Sequence, residues 1–233
     1  MARTQNGGAR AGDCARPNGN TNFEAARRFA EFGLAEQASG RRRSASGPGS
    51  TRRAAAEALG LLKRAIPAHG IRSVLDLGCG DWHWMKDLGF PEIAGAHVSY
   101  EGWEAAPALV DLLDREFARP GVSFRLKDIT AEPLPRADLV IARDVLFHID
   151  VDLAAALVAR IRASARFLAS TSFPAVAENR NIEAYLPIDG WGFHKVNLDI
   201  APFHLKDRLV ERVEERKCRH SGDRRYFCLY GLP

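Results

Sequence analysis

The stretch Val74-Leu75-Asp76-Leu77-Gly78-Cys79-Gly80-Asp81 constrains this chain more than any other. An apolar run carrying one aspartate ends in two glycines, the pattern of a buried strand that leaves its sheet through a tight turn. Glycine puts no side chain between the peptide and a ligand, and the helix that follows offers free N–H groups to a carboxylate or phosphate. Asp76 is placed to receive an ammonium group. In open α/β sheets, ligands bind beyond the carboxyl ends of the strands, where this loop lies.

The rest of the chain supports such a sheet. After Gly70, short apolar runs alternate with helix-length stretches. RSVLDLG reads as a strand, WMKDLGF as a short helix, EIAGAHV as a strand and EGWEAAPALVDLLDREFA as a helix. VSFRLKD, ADLVIAR and ARFLASTSF read as further strands, with VDLAAALVARIRA as the helix between the last two. This alternation predicts an α/β fold: a doubly wound, mostly parallel sheet with helices on both faces. LVERVEERKC and RRYFCLYGL, separated by HSGD, predict an antiparallel C-terminal hairpin that closes it.

Upstream, residues 1–20 are rich in Gly, Asn, Ala and Arg without periodicity and read as a disordered leader. Residues 21–69 read as a helical cover. Phe23, Ala26, Phe29 and Ala30 recur at helical spacing toward Gly33 or Gln37, and a Ser/Gly/Arg loop follows. Ser50 then caps a helix from Thr51 to about Ala68. Residues 70–233 form the sheet domain, with an insertion over 173–206.

Net charge is +4 over 233 residues, yet residues 1–53 hold 10 Arg against 4 acidic residues. The basicity therefore belongs to the N-terminal arm, and the sheet domain is slightly acidic. Nucleic-acid binding is not expected, since residues 39–53 contain no aromatic stacking platform beside the arginines. No apolar run reaches the ~18 residues of a membrane span, and no apolar stretch follows the basic start as in a secretory signal. Cys14, Cys79, Cys218 and Cys228 form no CxxC, so neither a metal site nor a disulfide framework is expected, and a reducing cytoplasm fits.

With V-L-D-L-G-C-G-D on its first strand, the chain resembles the class I S-adenosylmethionine-dependent methyltransferases, clearly so over residues 70–172. The resemblance implies a Rossmann-like fold and S-adenosyl-L-methionine as cofactor. It implies a loop of Asp76, Gly78, Cys79 and Gly80 around the methionine part, with Asp81 and Trp82 bordering it. It implies that Asp128 and Ile129, after the third strand, hold and cover the adenine. The family carries a carboxylate for the ribose hydroxyls at the end of the second strand. This sequence places His97 there, with Glu101 nearby as a substitute.

Ser44 to Ser50, Asp81 to Met85, Leu139 to Ile149 and Asn197 to Phe203 further resemble a bacterial subgroup acting on small molecules. After the fourth strand, Arg143, Asp144 and His148 face the transferred methyl group by this resemblance. Asp144 and His148 stand one helical turn apart, and an imidazole titrating near neutrality suits a general base. Methyl transfer chiefly needs alignment and a dry site, so a base matters only for a protonated acceptor. Tyr185, Trp191, His194 and Asn197 in the long insertion offer aromatic bodies and polar tips to a small acceptor.

The leading reading is methylation of oxygen or nitrogen on a small metabolite, in a chain for which a homodimer is left open. A second keeps the cofactor but, because His97 stands at the ribose position, lets its aminobutyrate arm cyclise. A third is a non-catalytic or RNA-directed module.

Overall fold

The computed structural model describes residues 21–181, 193–215 and 224–232. Its centre is a seven-stranded sheet. In chain order the strands are β1 (Ser73–Leu77), β2 (Glu92–Ile93), β3 (Ala96–His97), β4 (Ser99–Glu104), β5 (Val122–Leu126), β6 (Ala137–Ala142), β7 (Ala165–Ser172), β8 (Leu209–Glu215) and β9 (Arg225–Gly231). The order across the main sheet is β5-β4-β1-β6-β7-β9-β8, and β2 and β3 pair separately. β5, β4, β1, β6 and β7 run parallel, whereas β9 is antiparallel to both β7 and β8. The predicted doubly wound sheet closed by an antiparallel pair is therefore present. The expected HSGD turn lies outside the described residues, as do the predicted leader and Tyr185 and Trp191.

Helices cover both faces: α1 (Thr21–Ala38), α2 (Ala56–Ala68), α3 (Pro107–Phe117) and α4 (Val151–Ser164). In α4, Val151, Ala154, Leu157, Val158 and Ile161 are buried, a stripe at helical period that seats on the sheet. Leu75 and Leu77 face this side, whereas Val74 joins the core under α2 and α3, as strand alternation requires. Each fully buried Leu stabilises by about 2 kcal/mol. Among the described residues, no helix is long and apolar enough to cross a membrane.

α1 ends at Ala38, one residue past the Gln37 that the spacing offered. Two predicted elements shift. α2 starts at Ala56 rather than Thr51, and Ser50 caps nothing; instead Pro48–Ser50 form a 3₁₀ turn that stays with the cover loop. The second shift matters for chemistry. EIAGAHV is not the second strand of the sheet: Ile93 pairs with Ala96 around Ala94 and Gly95, which have φ of 50° and 75°. Two left-handed residues make the tight turn of a two-residue hairpin. The true second strand is Ser99–Glu104, paired with β1 from Ser73↔Ser99 to Leu77↔Trp103. Its final residue is Glu104. The stretch EGWE, read as the start of a helix, is strand, and α3 begins only at Pro107, where a missing N–H costs the first turn nothing.

Candidate active site

A cavity of about 640 Å³ opens beyond the carboxyl ends of the parallel strands, under α1 and the cover loop. Gly78 and Gly80 line it, with φ of +71° and +59°. A Cβ on Gly80 would lie 2.0 Å from Ser46 Oγ, so this turn admits only glycine while the cover is in place. Asp81 fixes the cover. Its carboxylate accepts from Ser44 Oγ (3.0 Å), the Ala45 N–H (2.7 Å) and Ser46 Oγ (3.2 Å), and its own N–H donates to Ser46 Oγ (2.9 Å). Asp81 thus anchors protein to protein and does not line the cavity.

Asp76 is buried and is not among the residues lining the cavity; Tyr100 Oη donates to its Oδ2 at 2.7 Å. Burial pushes its carboxyl up to about 7, with the Tyr100 bond opposing. The carboxylate expected to receive an ammonium group is thus held by Tyr100. Cys79 is buried beside it, its thiol driven up by desolvation. Trp82 packs among Tyr100, Phe117 and Phe124 with ring centroids 5.1–5.4 Å apart and lines no part of the cavity.

Glu104 does line the cavity. Its Oε1 accepts from the N–H groups of Ala105 (2.8 Å) and Ala106 (3.3 Å), and its Oε2 from the Gly80 N–H (3.1 Å). Burial raises its carboxyl above the usual range against the pull of these donors. A carboxylate has about four acceptor positions, so three backbone bonds fix the group and leave capacity toward the cavity. His97, expected at this position, sits outside the main sheet on an exposed hairpin, with Nδ1 3.1 Å from Glu92 Oε1. Its displacement follows from the hairpin turn that moved the second strand downstream.

Beyond β5, Asp128 and Ile129 line the cavity. Asp128 Oδ1 accepts from the N–H and the hydroxyl of Thr130, at 2.8 and 2.6 Å. Arg160 holds this turn from α4 by donating to the carbonyls of Ile129, Thr130 and Glu132.

The other half of the cavity is an ion-pair cluster. Arg143 Nε donates to Glu215 Oε1 (2.8 Å), its Nη2 donates to the Gly49 carbonyl (2.9 Å), and its Nη1 lies 3.3 Å from Asp144 Oδ2. Arg225 Nη1 donates to Asp144 Oδ2 (3.2 Å), and its Nε lies 3.0 Å from Glu215 Oε2. Burial lifts Asp144, but the two guanidiniums outweigh it and hold its carboxyl below the ordinary range. At Glu215 burial wins, and the carboxyl is raised. Asp144 has φ of 58°, and Leu146–His148 is a 3₁₀ turn, so Asp144 and His148 do not share an α-helical face. Both nonetheless line the cavity. Arg143 and Asp144 are committed to ion pairs, and His148 lines the cavity with its ring against Phe147.

Phe147, Phe173 and Phe193 stack edge to face around this end, with centroids 5.0–6.2 Å apart. His194 and Asn197, expected to touch the acceptor, are used elsewhere. His194 Nε2 lies 2.8 Å from the Ile149 carbonyl oxygen, and its N–H donates to the Phe147 carbonyl. The Asn197 amide donates to the carbonyls of Pro174 and Val176, and its oxygen accepts from the Asp199 N–H. They pin the insertion rather than line the cavity. The residues that the sequence reading missed are Glu104, Arg160, Glu215, Arg225 and Phe193. Glu104 alone carried a local signal, an acidic residue ending an aromatic-rich run. Among the described residues, no group of His, Cys, Asp and Glu is arranged to hold a metal.

No family model and no curated protein matches the chain. Solved structures do. A magnesium protoporphyrin IX methyltransferase from Synechocystis PCC 6803 with bound S-adenosylmethionine aligns over 94% of this chain and 100% of its own, at TM-score 0.62 and 16% identity. The N-methyltransferase NodS from Bradyrhizobium japonicum WM9, in complex with S-adenosylhomocysteine, covers 92% and 100% at 0.61 and 14%. A Burkholderia thailandensis 1,6-didemethyltoxoflavin-N1-methyltransferase, with 1,6-didemethyltoxoflavin and S-adenosylhomocysteine bound, covers 95% and 92% at 0.62 and 15%. The chain has the fold of S-adenosylmethionine-dependent methyltransferases.

Proposed function

We propose that this chain is an enzyme that transfers a methyl group from S-adenosylmethionine to an oxygen or nitrogen of a small metabolite. The observation that carries the reading is Glu104 at the end of the second sheet strand, fixed by three backbone N–H groups and facing the same cavity as Gly78, Gly80 and Asp128. The residues fit the cofactor. Glu104 would accept the ribose hydroxyls, Asp128 and Ile129 would hold and cover the adenine, and the side-chain-free Gly78–Gly80 turn would admit the methionine part. A volume of about 640 Å³ falls in the range of ligand pockets that bury most of their guest. When bound, the cofactor supplies an electrophilic methyl on a sulfonium.

The chain's own residues supply alignment and exclusion of water. The cover loop, latched through Asp81, closes one side, and the phenylalanine cluster closes the other. His148, half-buried on the cavity wall, would take the proton of a protonated acceptor. A magnesium protoporphyrin IX methyltransferase and a 1,6-didemethyltoxoflavin-N1-methyltransferase among the structural neighbours support an acceptor of this class. Cys79 and Cys228, both buried free thiols, suit the reducing cytoplasm in which we place this reaction.

Cyclisation of the cofactor's own arm loses its footing, since it rested on His97 standing where Glu104 stands. The RNA-directed reading weakens as well. Arg41 pairs with Glu36, Arg52 with Asp87, and Arg42 lies 4.9 Å from the Phe32 ring centroid, so part of the basic arm is spent internally. Incubation with methyl-labelled cofactor and a metabolite extract is the test. Label transferred to a small molecule supports the proposal, and label that never leaves the cofactor contradicts it.

A further inference from the structure

We propose that Arg225 is the anchor for the acceptor, and that the acceptor is a planar aromatic molecule bearing a carboxylate. This deepens the methyl-transfer reading and rests on it.

The starting point is an unmet donor. Arg225 lines the cavity with its side chain 7% exposed, and its Nη2 has no hydrogen-bond partner among the described residues. Nη1 donates to Asp144, and Nε lies 3.0 Å from Glu215 Oε2 in an ion pair that does not meet hydrogen-bond geometry. A buried guanidinium N–H without an acceptor is expensive, because the charged group has given up water without replacement. Asp144 and Glu215 hold the fork rigidly, so an oxygen brought into the cavity would meet a preorganised donor.

Geometry supplies the second half. The β7–β9 ladder ends at Ser172↔Tyr226, and one residue further along each strand stand Phe173 and Arg225. Phe173 stacks edge to face with Phe147 and Phe193 on the cavity wall. A flat ring lying against these faces would present a substituent oxygen toward Arg225, while His148 lines the same wall.

Charge selects the substituent. Arg143 and Arg225 are matched by Asp144 and Glu215, so the cluster closes neutral. Fully ionised S-adenosylmethionine carries a sulfonium, an ammonium and a carboxylate, net +1. A monoanionic acceptor balances the cofactor's net positive charge, and a charge-assisted bond to guanidinium is the stronger kind.

Calorimetry on the full chain saturated with S-adenosylhomocysteine tests this, using matched pairs of probes: benzoate and benzamide, salicylate and salicylamide, anthranilate and anthranilamide. Acids binding about ten- to a hundredfold tighter than their amides is the expected result. Acids and amides binding alike, or no acid binding at all, overturns the proposal without any variant. Arg225→Lys, which keeps a cation against Asp144 and Glu215 but loses the guanidinium fork, should then weaken the preference for the acid while leaving S-adenosylhomocysteine affinity unchanged in a chain that is folded by circular dichroism. If the folded Arg225→Lys chain loses S-adenosylhomocysteine instead, Arg225 serves the cofactor and the acceptor assignment is wrong. If the wild-type chain binds no S-adenosylhomocysteine but still prefers the acids, the methyl-transfer reading fails while the anchor stands.

Discussion

The two halves of the cavity are built by opposite strategies. Around Gly78, Glu104 and Asp128, each polar group is fixed by donors a few residues away or on the neighbouring strand: Ala105 and Ala106 for Glu104, Thr130 for Asp128. Around Arg143 and Arg225, partners lie 72 and 81 residues apart in sequence, and each group is held by another charge. A site held by backbone N–H groups is as rigid as its loops. A site held by buried ion pairs stands only while every charge is matched, since breaking one leaves another stranded.

The sharpest way to break this contrast is Glu215→Ala, which leaves two guanidiniums facing Asp144 alone. Destabilisation of about 3–5 kcal/mol is expected by denaturant unfolding. A loss under about 1 kcal/mol would mean that the cluster is solvated and its ion pairs unimportant. Glu104→Ala should cost cofactor affinity about a hundredfold, two charge-assisted bonds' worth, with the fold intact by circular dichroism. Retained affinity would remove Glu104 from the site. Asp81→Ala strands Ser44 and the Ala45 N–H at the latch, and about 2 kcal/mol of stability should go with it. Easier proteolysis of the cover near Arg41–Arg43 would report the same opening.

Asp76 predicts a pH signature. Its folded carboxyl, near 7 against an ordinary 3.8, contributes stability that is complete below about pH 4 and is lost as pH rises through about 7. Asp76→Asn should therefore narrow the gap to wild type, or overtake it, as melting temperatures are followed from pH 4 to 8. Parallel curves would place that carboxyl in water. Smallest of all, His97→Ala should leave cofactor affinity within error, which sharpens the assignment to Glu104.

The sheet was largely legible because five strands and α4 carry short apolar runs or a 3.6-residue stripe that local sequence states plainly. The glycine turn ending β1 was legible for the same reason, whereas Asp128–Ile129 was reached only through the family resemblance. His97 misled because a two-residue hairpin consumed the run that looked like the second strand, and because Glu101, Gly102 and Glu104 interrupt the true strand with residues that disfavour one. Asp76 and Asn197 have the right chemistry on the wrong face, which strand alternation and loop packing decide. Arg225 and Glu215 could not be read at all: only the pairing of β8 with β9, and of β9 with β7, brings them to Asp144 and Arg143.

Cofactor binding by the wild-type chain tests the central claim most directly. Titrated with S-adenosylhomocysteine in a calorimeter, the folded protein should bind one equivalent with micromolar affinity, on the order of 8 kcal/mol. A folded protein that gives no heat with either S-adenosylhomocysteine or S-adenosylmethionine, and no rise in melting temperature, would contradict it.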